Sequence, residues 1–176
     1  MRCADLIRVW ILCLVTILIC SPALAEKKSG ASKKTEPAPA EQAERFFDMK
    51  VPEGFTSEPV EESGILKWKK GSAEIYLVVG NLFAPPGESL FKALRKAAGA
   101  DKSLEEVRTL QIKGGKALLY KQKAPDDPSR LRVWHLVVIT KKKMIDVDFS
   151  APAKDFKSFI PAFESAINSF KLKSPS

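Results

Sequence analysis

The fold is decided by LRVWHLVVIT (residues 131–140), KKK (141–143) and MIDVDFS (144–150), followed by DFKSFIPAFESAINSF (155–170). β-Branched and aromatic residues crowd the first and third stretches, and a short polar turn separates them, so we predict an antiparallel β-hairpin. Residues 155–170 repeat apolar side chains at spacings of three and four, which predicts one buried face of a helix. That face consists of Phe156, Phe159, Ile160, Phe163, Ala166, Ile167 and Phe170. The hairpin is the nearest apolar surface on which it can pack.

Upstream segments supply the rest of a sheet. Strands are predicted at 45–51, 65–70, 73–80, 107–113 and 116–123, with an acidic loop at 58–64 and a helix at 88–98. Gly114 and Gly115 favour a hairpin turn between two of these strands. The pattern predicts an α+β fold, an antiparallel sheet of about six strands with helices packed on its faces. A jelly roll or lipocalin-like barrel is the alternative, and the aromatic load of the C-terminal helix argues against an open barrel.

The N-terminus is typical of an export signal. Arg2 and Arg8 accompany an apolar run at 9–20, and Ala23-Leu24-Ala25 is a small-x-small cleavage site. An uncleaved anchor would need about 20 apolar residues, and a lipoprotein signal would need a small residue where Ile19 precedes Cys20. We therefore predict a cleaved signal peptide at 1–25, a periplasmic or secreted protein, and no stable membrane span after cleavage.

The mature chain is predicted to have two parts. Residues 26–44 mix Lys, Glu, Ser, Ala and Pro without apolar periodicity, which is typical of a flexible linker. Residues 45–173 form the single α+β domain. All three cysteines, Cys3, Cys13 and Cys20, lie in the signal peptide. A disulfide framework, a cysteine nucleophile and a thiolate metal site are therefore excluded from the mature chain.

The domain is basic. Of the formal charge of +8, Arg2, Arg8 and Asp5 account for +1, and the linker is neutral, so the domain carries +7. An exported basic domain is expected to meet an envelope protein or an anionic envelope component rather than nucleic acid. Two lysine groups, at 141–143 and at Lys67, Lys69 and Lys70, would form one contact surface if the fold brings them together. Lysines at turns and sheet edges also serve to prevent aggregation.

His135 is the only histidine, and the turn at 141–143 decides its surroundings. A three-residue turn places it opposite Phe149 on an apolar face. A turn of two or four residues shifts the register by one and places it on the face of Asp146 and Asp148, where it could sense pH or bind metal weakly. We favour the first, because a single histidine among apolar neighbours is usually structural.

Catalytic and metal sites are not predicted. Asp146 and Asp148 project from one strand face, but two carboxylates are too few for calcium and no glycine-centred loop surrounds them. The sequence contains no hydrolase serine elbow, phosphate loop or zinc-binding helix. We predict a non-enzymatic protein without a cofactor.

The layout resembles the PsbP-like superfamily, which includes PsbP and bacterial DcrB-like envelope proteins. The resemblance rests on VPEGF at 51–55, GGKA at 114–117, and a closing strand joined by Ala151-Pro152 to a helix that ends NSF at 168–170. It implies an antiparallel sheet sandwiched between helices, in a family of mostly accessory or assembly proteins without shared catalytic residues.

Two functions follow as hypotheses. The first is an exported accessory or assembly protein that binds another envelope component through a basic surface. The alternative is a binding module for a small apolar or anionic ligand held between sheet and helix.

Overall fold

The structure is a computed structural model that describes residues 43–62, 64–82 and 87–173. The predicted signal peptide lies outside the described residues, as does the predicted linker apart from Ala43 and Glu44. Ala43 is only 1% exposed and belongs to the core, so the core includes a residue two positions before the predicted domain start. None of the described helices has the length and apolar character that a bilayer crossing requires.

The described residues include nine strands and two helices, besides the helical residues Ala43 and Glu44. The strands are β1 (Phe47–Asp48), β2 (Thr56–Glu58), β3 (Ile65–Lys70), β4 (Ala73–Asn81), β5 (Leu104–Ile112), β6 (Gly115–Gln122), β7 (Leu131–Ile139), β8 (Lys143–Pro152) and β9 (Lys171–Leu172). The helices are α1 (Gly87–Ala100) and α2 (Ala153–Ser169).

Seven strands form one sheet in the order β2-β3-β4-β8-β7-β6-β5, and every neighbouring pair is antiparallel. The predicted α+β fold with helices on the sheet is confirmed. The sheet has seven strands rather than about six because β2, which lies partly in the predicted acidic loop, pairs with β3. The predicted first strand at 45–51 is shorter and joins β9 instead.

Helix α2 covers one face of the sheet with aromatic side chains. Phe149 on β8 and Phe156 and Phe163 on α2 are completely buried. The Phe163 ring lies within 6.4 Å of five other aromatic rings, a separation at which ring pairs attract one another. The predicted apolar face of the helix is buried here, with Phe159 and Ile160 at its partly exposed border.

Helix α1 covers only part of the opposite face. Its Phe91, Leu94 and Ala98 pack with Leu118 on β6 and Val137 on β7. The strands that contribute to this smaller cluster are β5, β6, β7 and the start of β8. On this face the strands β4, β3 and β2 therefore lie beyond the apolar cover of α1.

The β7–β8 turn is tighter than the sequence analysis favoured. Thr140 and Lys143 flank a two-residue turn, with the Thr140 amide donating to the Lys143 carbonyl at 2.8 Å. The Thr140 hydroxyl accepts the Lys143 amide at 2.9 Å. Trp134 consequently opposes Phe149, and His135 opposes Asp148, so the expectation of a three-residue turn was wrong.

The physical reason for this register is the match of apolar faces. Trp134, Leu136 and Val138 on β7 are buried beneath α2. Only the observed register gives them the apolar residues of β8 as neighbours, namely Ile145, Val147 and Phe149. The alternative register would place two aspartates under α2, where charge burial is costly.

A small second sheet joins the two ends of the domain. Phe47 on β1 pairs with Leu172 on β9, and the Lys173 amide donates to the Phe46 carbonyl at 3.1 Å. The Leu172 backbone approaches the β5–β6 turn so closely that a Cβ at Gly114 (φ +92°) would lie 3.0 Å from the Leu172 Cβ. Glycine is therefore required there for both conformation and space.

Candidate functional site

A row of polar and aromatic side chains crosses the α1 face of the sheet. The observed register aligns Tyr120 on β6, His135 on β7, Asp148 on β8 and Tyr76 on β4. Side chains at paired positions of antiparallel strands lie on the same face and contact one another. The row therefore brings an imidazole and a carboxylate between two phenols, where the apolar cover of α1 ends.

His135 is held on three sides. Its side chain is buried, at 8% exposure for the residue. Its Nδ1 lies 2.5 Å from Asp148 Oδ1, its Nε2 lies 3.2 Å from Gln122 Nε2, and its ring stacks on Tyr120 with centroids 4.6 Å apart. With Nε2 accepting from the Gln122 amide, the neutral imidazole carries its proton on Nδ1, which faces Asp148 Oδ1.

Asp146 lies next to this pair, two residues before Asp148 on the same strand. Its Oδ1 atom is shielded from solvent and has no hydrogen-bond partner among the described residues. Asp146, Asp148 and His135 each present one potential metal-ligating atom, and these three atoms lie within 4.8 Å of one another. Two partly exposed carboxylates and one buried imidazole thus meet on this face of the sheet.

The electrostatics of this group follow from its burial. Burial and the neighbouring Asp148 charge raise the pKa of Asp146 to about 7, with His135 and the Val147 amide acting in the opposite direction. Burial, followed by the charges of Asp146 and Asp148, raises the pKa of the Tyr120 hydroxyl well above 10. Tyr120 therefore remains neutral, while Asp146 titrates in the physiological range.

The sequence left open whether His135 faces an apolar surface or Asp146 and Asp148, and the structure brings all three residues together. The sequence did not indicate Tyr76, Tyr120 or Gln122, because nothing in it specified that β4 and β6 flank the hairpin. The alternation of β4 between Ile75, Leu77 and Val79 on one face and Tyr76 on the other was the one available signal.

The two lysine groups do not form one surface. Lys70 pairs with Ala73 at the start of β4, and Lys143 pairs with Asn81 at its end. This extended strand separates Lys70 from Lys143 by about 27 Å, and it separates Lys67, which pairs with Tyr76, from Lys143 by about 17 Å. Lys67 is also engaged, with Glu58 at 3.1 Å and Glu74 at 3.0 Å. The hypothesis of a combined surface is thereby corrected.

The lysine turn has different basic neighbours. Because β6 pairs with β7, the β5–β6 turn and the β7–β8 turn lie at the same end of the sheet. The strand β9 reaches this end as well, where Lys171 forms a bridge with Lys113. We name this surface the lysine end and define it by Lys113, Lys116, Lys141, Lys142, Lys143, Lys171 and Lys173.

Few acidic groups neutralise the lysine end. Lys171 pairs with Asp48 at 2.9 Å, and Lys143 donates to Asn81 Oδ1 at 2.6 Å. The other lysines on the two turns are Lys113, Lys116, Lys141 and Lys142, all exposed. They form no ion pair within the described residues.

A pocket of about 230 Å³ lies beside the lysine end, where β5 meets the last turn of α2. Its lining includes Leu110, Lys113, Asn168 and Lys171. Pockets for small organic ligands usually measure about 300–1,000 Å³, so this one is small for such a ligand. The space between the sheet and α2 is filled by the aromatic core described above.

Two solved structures are similar to this chain to different degrees. LpqN, described as involved in cell envelope biogenesis of Mycobacterium tuberculosis, matches with a TM-score of 0.56 at 9% identity, over 73% of this chain and 83% of LpqN. Cyanobacterial PsbP (CyanoP) from Synechocystis sp. PCC 6803 matches with a TM-score of 0.45 at 14% identity, over 82% of this chain and 98% of CyanoP. The match with LpqN agrees with the predicted α+β fold. At such identities the likeness is one of fold alone.

No protein-family model matches the chain, and no curated protein matches it either.

Proposed function

We propose that this chain is an exported, non-catalytic accessory protein that binds an anionic component of the cell envelope through its lysine end. The observation that carries the proposal is the set of four exposed lysines on two adjacent turns, which have no ion-pair partner within the described residues. Clustered lysines of this kind attract anionic surfaces, with about 1 kcal/mol per lysine near an anionic membrane.

Two further observations support it. The N-terminal pattern predicts export, which brings the domain to the envelope. LpqN, which shares the fold, is described as involved in cell envelope biogenesis. A catalytic role has less support, since the Nε2 of His135 contacts Gln122 rather than a serine or another nucleophile.

Charge reversal tests the proposal. Glutamate at all four positions, Lys113, Lys116, Lys141 and Lys142, should weaken binding to phosphatidylglycerol-containing vesicles at least a hundredfold, as measured by cosedimentation at fixed salt. Neutral phosphatidylcholine vesicles report any binding that does not depend on charge.

A matched control carries glutamate at Lys102, Lys123, Lys154 and Lys157, which are also exposed. The first three lie near the opposite end of the sheet, since Lys123 bonds to Ser103 and Lys154 to Pro128. Both variants change the net charge equally. Equal loss in the two variants would show that only net charge matters, and would contradict the proposed surface.

The alternative function, a small ligand held between sheet and helix, is not favoured by these contacts. Phe149, Phe156 and Phe163 occupy that space completely.

A further inference from the structure

We propose that His135, Asp146 and Asp148 form a binding site for one divalent transition-metal ion, of which Zn²⁺ is the representative. The site lies on the α1 face of the sheet and uses no residue of the lysine end. Nothing in the fold comparison assigns it, and the sequence alone argued against a metal site because two carboxylates are too few for calcium and no glycine-centred loop surrounds them.

The three potential ligand atoms converge on one point. The three ligating atoms come from the paired strands β7 and β8 and lie within 4.8 Å of one another. Zinc bonds of about 2.0–2.2 Å at tetrahedral angles place ligand atoms about 3.4 Å apart. Side-chain rotations that move these atoms by about 1 Å are therefore enough to enclose one ion, and the two strands supply a rigid support.

One carboxylate oxygen of the group, Asp146 Oδ1, is unsatisfied within the described residues. Asp146 Oδ1 is shielded from water and lacks a hydrogen-bond partner among the described residues, although buried polar atoms normally have one. Asp148, the nearest charged neighbour on the strand, is itself a carboxylate and repels a charged Asp146. A cation between the two carboxylates removes both costs at once.

The imidazole of His135 is oriented for binding an ion. Stacking on Tyr120 and the contact with Gln122 fix the His135 ring, so that Nδ1 points towards the carboxylates. Such outer contacts commonly orient metal-binding histidines. When Nδ1 binds the ion, Nε2 carries the proton, and rotation of the Gln122 amide lets its oxygen accept that proton in a hydrogen bond.

The donor set indicates the class of ion. Imidazole nitrogen favours first-row transition metals over calcium or magnesium, and the carboxylates are compatible with zinc. Three protein ligands leave one position for water. When the ion binds at Nδ1, the proton of the neutral imidazole moves to Nε2 and stays on His135, so only a proton held by a carboxyl group is released to the buffer, and no group is oxidised or reduced.

The experiment follows His135 directly, because it is the only histidine in the chain. Protein without a histidine tag is treated with a chelator, dialysed, and titrated with ZnCl₂. The imidazole signals of His135 are recorded by ¹H–¹⁵N NMR and the binding heat by calorimetry. We expect the imidazole signals to shift and saturate at one equivalent of Zn²⁺. Unchanged imidazole signals at tenfold excess of Zn²⁺ would overturn the proposal.

Variants sharpen the test. Asp146→Asn and Asp148→Asn should each weaken Zn²⁺ binding at His135 at least tenfold. His135→Gln should abolish the binding heat of this site. Asp126→Asn removes an exposed carboxylate in the loop before β7 and should bind zinc like the wild type. Thermal unfolding monitors whether each variant is folded. If His135→Gln does not fold, the near-isosteric Asp146→Asn decides, and wild-type affinity in that variant would overturn the site.

Discussion

The two faces of the central sheet differ in how they are covered. Under α2, the sheet meets a continuous aromatic layer in which Phe149, Phe156 and Phe163 are entirely buried. Under α1, the apolar cover is smaller, and a polar row with Asp148 and Tyr76 continues beyond it. The face under α2 therefore maintains the fold, whereas the face under α1 accommodates polar groups whose burial in a dry core would cost too much free energy.

The largest effect is expected where the aromatic layer is broken. Phe163→Ala removes the ring that contacts five others, and a buried phenylalanine lost in this way destabilises by about 3–5 kcal/mol. Chemical denaturation of the variant and the wild type measures this free energy of unfolding. A loss below about 1 kcal/mol would contradict the assignment of α2 as the main stabilising element.

The two faces can be compared on a single strand. Leu118 and Leu119 are adjacent on β6, almost completely buried, and point to opposite faces. Leu119→Ala should cost about 3–4 kcal/mol and Leu118→Ala about 2–3 kcal/mol, because the smaller cluster under α1 relaxes more easily around a lost side chain. Denaturant midpoints of the two variants provide the measurement. Equal losses would show that α1 covers its face as firmly as α2.

The pH dependence of the α1 face comes next. In the unfolded chain Asp146 ionises near its ordinary pKa of 3.8, whereas in the fold its pKa is raised to about 7. Between these values the folded state binds more protons, so this group contributes stability that is lost as pH rises from about 4 to 7. The neighbouring groups that face it are Asp148, His135, Tyr120 and Tyr76.

Asp146→Asn should therefore be more stable than the wild type at pH 8 by about 1–3 kcal/mol in the presence of a chelator. The full linkage would amount to about 4 kcal/mol, but a buried asparagine amide also needs hydrogen-bond partners. Unfolding free energies at pH 4.5 and pH 8 should differ less in the variant. A wild-type pH slope in Asp146→Asn would show that Asp146 titrates normally, and Asp126→Asn provides the control.

The smallest effect on stability is expected at the exposed turn. Lys141→Glu and Lys142→Glu together should change the free energy of unfolding by less than about 0.5 kcal/mol, because both side chains are exposed. Thermal unfolding of this double variant measures the change. A larger loss would mean that the lysine end stabilises the sheet. Weaker vesicle binding by the charge-reversal variant would then reflect lost stability as well as lost charge.

Much of the fold could be predicted from local patterns. The helix expected at 155–170 is α2 (Ala153–Ser169), and the hairpin expected around Gly114 joins β5 and β6. Periodicity specifies such elements because each must bury one face. The short strands β2 and β9 have no apolar period of their own, and they form only because neighbouring strands offer free hydrogen-bonding edges.

The site was predictable only as a set of alternatives. Which residues face Asp148 depended on whether the turn contains two or three residues, and the sequence KKK at 141–143 does not decide that. Comparing the two apolar faces of β7 would have helped. Trp134, Leu136 and Val138 form an uninterrupted apolar set, whereas His135 interrupts the set of Val133, Val137 and Ile139. The first set therefore competes more strongly for the apolar face of β8.

Because β1 pairs with β9, the first and last strands of the described domain lie side by side, and the Lys173 amide donates to the Phe46 carbonyl. A short linker could join these positions directly, and new termini could be opened in the exposed β7–β8 turn, giving a circular permutant with the same sheet order.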